Sequence, residues 1–184
     1  MSKKSTPAIL LALASAAAAA HPQAGGAHVH GFVDGFAHPF TGLDHLLAMV
    51  ALGIWSVRQP NAKWLPATFI GMVLVGVLTG AAGLTIPGLE TGIALTVATM
   101  GMLIAVAARL PAAVGVSMVG VFAVLHGNAH GHELPAAASA FGLLLASAVL
   151  VYSGRTLGRV SPALALKLSG AAIAATGVLL VATA

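Results

Sequence analysis

Six apolar runs, each about the ~20 residues that cross a bilayer as a helix, follow one another with short polar breaks between them. They lie at Pro39–Val57, Trp64–Leu84, Leu89–Ala108, Pro111–Gly131, Pro135–Ser153 and Leu164–Ala182. In lipid, a spanning segment of this length is a helix, because an open strand leaves backbone N–H and C=O groups without partners. The expected architecture is therefore an all-α integral membrane protein, a compact bundle of six transmembrane helices with antiparallel neighbours and no soluble domain. Only 7% of the residues are charged against 59% hydrophobic. A surface facing water needs far more charge, roughly 25% in soluble domains.

Pro39, Pro111 and Pro135 stand where helices are expected to begin, a position that tolerates a missing N–H. Gly71, Gly76, Gly80, Gly92, Gly101, Gly115 and Gly120 are read as sites of close helix approach. Ahead of the first run, Lys3 and Lys4, an apolar stretch from Ala8 to Ala14 and the small residues Ala16 to Ala20 make a cleavable signal peptide over residues 1–20. Residues 21–184 then form the six-helix transmembrane domain, starting outside the cytoplasm.

The basic residues give the orientation. Arg58 and Lys63 fall between runs 1 and 2, Arg109 between 3 and 4, and Arg155 and Arg159 between 5 and 6, with Lys167 opening the last run. By the positive-inside rule those connections are cytoplasmic, which places both termini of the mature chain in the periplasm. The expected location is the bacterial inner membrane. A net charge of +4 does not indicate nucleic acid, since the cations are scattered and form no patch. Cysteine is absent, so thiolate metal sites and disulfides are excluded.

The eight histidines and four carboxylates sort to the outer side. Imidazole with carboxylate is a ligand set for nickel, cobalt or zinc. One group is His38, Asp44 and His45. At about 100° per residue, His38, Gly42, His45 and Met49 share a face of one helix, with His45 two turns inside, ~9 Å deep. An ionisable group at such depth is costly and marks a substrate path, unless the Asp44–His45 pair merely locks two helices. The second group is His126 and His130, spaced i,i+4 as two imidazoles on one metal are, followed by His132 and Glu133. Glu90 opens the third run, either as a ligand or as a carboxylate favoured by the helix dipole. His21, His28, His30 and Asp34 form a looser outer set suited to ion capture.

These residues resemble the HupE/UreJ family of bacterial nickel and cobalt permeases. The resemblance rests on His38-Pro39, Gly42, Asp44-His45 and Ala48-Met49 in the first run, then Glu90, and then Phe122-Ala123, His126-Gly127, Ala129-His130-Gly131 and Glu133. The first motif is also similar to the His-x4-Asp-His signature of the nickel–cobalt transporter family, although five residues separate His38 from Asp44 here. The resemblance implies a secondary permease with a nickel or cobalt ion as transported substrate and no prosthetic group. His38, Asp44, His45, His126 and His130 are the expected metal site. No nucleotide-binding loop is present in the sequence, which argues against an ATP-driven pump. Thr68, Thr96, Thr99 and Ser117 are the weak polar groups expected on the inner half. The competing expectation is an intramembrane zinc-dependent hydrolase built on the same cluster, with Glu133 or Glu90 as base.

Overall fold

A computed structural model describes residues 31–60 and 62–184. Over these the chain is all α, with seven helices: α1 (Phe32–Thr41), α2 (Leu43–Ser56), α3 (Leu65–Ala81), α4 (Leu89–Ala105), α5 (Ala112–Glu133), α6 (Ala137–Val160) and α7 (Ala163–Thr183). The expected signal peptide and the expected capture residues His21, His28 and His30 lie outside the described residues. Helices α5, α6 and α7 are long and apolar enough to cross a membrane, while α2, α3 and α4 are shorter apolar helices. The bundle is apolar outside as well as inside. Leu78, Val121, Phe141, Leu168 and Leu179 are exposed, whereas Met49, Val73, Val97, Val119 and Val151 are fully buried. A water-soluble helix keeps its outward face polar; these do not.

Two element boundaries depart from the sequence reading. The first run is not one helix from Pro39: Pro39 lies inside α1, and the chain breaks at Gly42, which is extended (φ −84, ψ 114). The Gly42 N–H still closes α1 on the His38 carbonyl at 3.3 Å, and its own carbonyl starts α2 by accepting the Leu46 N–H at 2.9 Å. A Cβ at Gly42 would stand 3.1 Å from Asp44 Oδ1 and 3.2 Å from His45 Nδ1, so the break is packed beneath that pair. His45 therefore sits in the first turn of α2 rather than two turns inside a longer helix. At the other boundary, α6 continues past Ser153 to Val160, so Arg155 and Arg159 are helical rather than part of a connection.

The helices meet as close pairs: α2 with α6, α3 with α5 and α4 with α7, and α1 lies along α6. Glycine makes these approaches possible. Gly76 and Gly80 of α3 face Gly127 and Gly131 of α5 so closely that a Cβ at any of the four would enter the opposing backbone. Gly101 meets Gly170 and Ala174 of α7 in the same way. The expected close contacts thus hold for Gly76, Gly80 and Gly101. Gly71 faces open space, and Gly92, Gly115 and Gly120 have side-chain neighbours at ordinary distances. Lipid offers no hydrophobic drive between helices, so backbone contact of this kind carries much of the association.

Candidate metal centre

The α3–α5 contact fixes where the C-terminal turns of α5 stand. His126 and His130 lie one turn apart there, and each is 0% exposed. The N-terminal turn of α2 brings His45 against both: its ring centroid is 4.9 Å from that of His126 and 4.3 Å from that of His130. His38, on α1 just before the Gly42 break, completes the group at 4.9 Å from His130 and 6.3 Å from His45. His38 and His45 thus converge across a break between helices instead of along one helical face.

Two carboxylates hold this cluster in different ways. Asp44 Oδ1 accepts both the His45 Nδ1–H and the His45 backbone N–H, each at 2.8 Å. That bond fixes the ring and leaves Nε2 facing inward. Glu133 Oε2 lies 2.9 Å from His38 Nε2 and 3.7 Å from His130 Nδ1. His38, His130 and Glu133 each offer a ligand atom, and those atoms all lie within 4.8 Å of one another. His126 Nε2 is 2.8 Å from the hydroxyl of Thr96 on α4.

Several ring nitrogens in this cluster are buried without a hydrogen-bond partner: His45 Nε2, His126 Nδ1, and both nitrogens of His130. An unpaired buried polar atom costs about 1–3 kcal/mol, and native structures keep few of them. Imidazole nitrogen is the ligand type a borderline divalent transition metal takes, and His130 belongs both to these neighbouring rings and to the converging group with His38 and Glu133.

A family model described as HupE / UreJ protein matches residues 9–180. The chain belongs to the HupE/UreJ family. It is also similar to Protein HupE of Rhizobium leguminosarum bv. viciae, 42% identical over 132 residues that cover 69% of each chain. No solved structure matches. For this HupE/UreJ protein the motif-bearing segments, His38 to Met49 and Phe122 to Glu133, are the ones whose imidazole rings meet.

Other expected residues fall elsewhere. Asp34 accepts the Gly31 N–H at 2.9 Å and caps α1. Glu90 is exposed in the first turn of α4. The exposed His132 points to the Leu84 carbonyl, 3.0 Å from Nε2, away from the cluster. Thr96, assigned by sequence to the inner half, instead touches His126. Asn128, given no role by the sequence reading, is fully buried and donates Nδ2–H to Thr79 Oγ1 at 3.3 Å and to the Leu84 carbonyl at 3.0 Å.

Proposed function

We propose that the protein is a secondary transporter that carries nickel or cobalt ions from the periplasm to the cytoplasm through this imidazole cluster. The observation that carries the reading is the set of unpartnered ring nitrogens on His45, His126 and His130. The cluster also grades from wet to dry. The side chains of Glu133 and His38 are 40% and 32% exposed, while His126 and His130 are wholly enclosed. A hydrated cation would meet Glu133 and His38 first and exchange water for imidazole on His130, which touches both sets. It would then pass to His45 and His126. A carrier site must replace hydration without holding the ion too tightly. Asp44 acts in this scheme by orienting His45, and His21, His28 and His30 serve as capture residues ahead of α1.

The same reading takes α2 to α7 as six spans in the inner membrane, with both mature termini periplasmic. Its support is the separation of charge along the bundle. Helix α2 carries His45 in its first turn and Ser56 in its last, and Ser56 meets Arg155. Eleven residues at 1.5 Å put these ends about 17 Å apart. Arg155 bonds Ser56 and the α2–α3 connection that carries Arg58 and Lys63, Arg159 follows it one turn on, and Arg109 adjoins Ala108, whose carbonyl accepts from Trp55 and Gln59 at the same end; a cytoplasmic assignment of that end follows the positive-inside rule.

Reconstituted protein should admit radiolabelled nickel into liposomes, and a tenfold excess of cobalt should suppress entry while the same excess of magnesium should not. Magnesium prefers an all-oxygen shell that these imidazoles do not supply. Metal-dependent hydrolysis of a membrane substrate without ion entry would transfer the cluster to the hydrolase reading. A reporter fused after Ala184 should be active in the periplasm; cytoplasmic activity would refute the six-span topology.

A further inference from the structure

Thr96 is 1% exposed and comes from α4, a helix that places no imidazole in the cluster. Its hydroxyl has two neighbours: the Ile93 carbonyl at 2.7 Å and His126 Nε2 at 2.8 Å. A hydroxyl has one proton to donate. The Ile93 carbonyl can only accept, and an oxygen–oxygen separation of 2.7 Å requires a proton between them. The Thr96 proton is therefore committed to Ile93, and the hydroxyl oxygen accepts from His126. That places the His126 ring proton on Nε2 and the lone pair on Nδ1. Nδ1 is the atom found buried and without a partner.

We infer that Thr96 is a positioning residue of the metal site, holding His126 in the Nε2–H form so that Nδ1 is presented to the ion. This inference rests on the transport reading above for the identity of the ligand. Asp44 does the opposite service for His45, binding Nδ1–H and freeing Nε2. The two inner imidazoles thus present different nitrogens, each set by a neighbour outside the ring cluster. A second hydrogen bond to a ligating histidine fixes its tautomer and aim. Thr96 also joins α4 to the site. A movement of α4 relative to α5 would release the His126 ring.

The test begins with the wild-type protein, free of metal, in lipid nanodiscs with 15N-labelled histidine. Ring 15N shifts, assigned by the signal lost in His126→Asn, should show His126 protonated on Nε2. A ring protonated on Nδ1 would overturn the inference without any variant being needed. Equilibrium binding of Ni2+ then compares Thr96→Val, Thr96→Ser and His126→Ala. Thr96→Val keeps the shape of the side chain and removes the acceptor, so affinity should fall about 10–100-fold. Thr96→Ser keeps the acceptor and should bind as wild type does. Wild-type affinity in Thr96→Val beside weakened His126→Ala would overturn the positioning role. Undiminished binding in His126→Ala would strike the metal reading instead, and the ring shifts would still decide whether Thr96 sets the tautomer.

Discussion

The two ends of the bundle are both polar, but their hydrogen bonds are arranged differently. At the basic end the interior polar groups have partners. Arg155 Nη1 donates to Ser56 Oγ at 2.8 Å and to the Ala62 carbonyl at 2.6 Å. Trp55 Nε1–H and Gln59 Nε2–H both reach the Ala108 carbonyl at 3.0 Å, and Gln59 Oε1 accepts the Leu110 N–H at 3.1 Å. At the histidine end, His45, Asn128, His126 and His130 all bury polar atoms that have none. Completed bonds tie connections to helices, as architecture requires. Open nitrogens contribute nothing to folding and are retained at a cost. On the proposed function, the contrast separates the part of the protein that holds shape from the part that would handle substrate.

His130→Leu tests this contrast most severely. Uptake should fall to the background of empty liposomes, a loss beyond the about 10–100-fold typical of residues behind the ligands. The thermal midpoint should hold or rise, because two unpaired nitrogens disappear, each costing about 1–3 kcal/mol when buried. A marked drop in melting temperature with uptake preserved would make His130 architectural and erase the difference between the ends. Asp44→Ala should come next, weakening Ni2+ binding about 10–100-fold through the freed His45 ring. Binding unchanged in that variant would remove Asp44 from the site.

At the opposite end, Arg155→Leu should reverse the pattern. Losing hydrogen bonds from a charged donor costs about 1.5–3 kcal/mol each, so unfolding in denaturant should shift to a lower midpoint. Nickel affinity of the folded fraction should stay at the wild-type value. A variant that folds normally but no longer binds nickel would couple the two ends and deny the division drawn between them.

Much of this division was legible in the sequence, and the parts that were not have physical reasons. The i,i+4 spacing of His126 and His130 survives because α5 is continuous through both. The pairing of His45 with Asp44 survives because adjacent residues need no tertiary knowledge. The break at Gly42 was hidden, since glycine in an apolar run reads equally as a packing site or a helix end, and only the Asp44–His45 pair folded over it decides. The length of α6 was hidden because arginine ordinarily ends an apolar run, whereas Arg155 finds partners on α2 and in the α2–α3 connection. Thr96 was misplaced because a threonine in a membrane helix can bond its own backbone anywhere, and its meeting with His126 depends on how α4 packs on α5. Glu133 gained weight from the fold, which brings α1 and thus His38 to it.

The smallest expected effect is the one that draws the edge of the site most finely. His132 shares the C-terminal turns of α5 and the family segment with His130, and composition alone gives both the same standing. Two residues along a helix are about 200° apart, so the two rings leave α5 on nearly opposite sides. His132 is directed to the Leu84 carbonyl, which also accepts from Asn128, so that carbonyl keeps a partner if the imidazole is lost. His132 is exposed as well, and water replaces most of what its hydrogen bond contributes, leaving about 0.5–1.5 kcal/mol at most. His132→Ala should therefore leave nickel uptake within about twofold, against the abolition expected one half-turn earlier, where an orphaned ligand has no substitute. A loss comparable to that of His130→Leu would extend the ion path around α5 toward the α3–α4 connection, and the buried unpaired oxygen of Asn128 would then be the next group to replace.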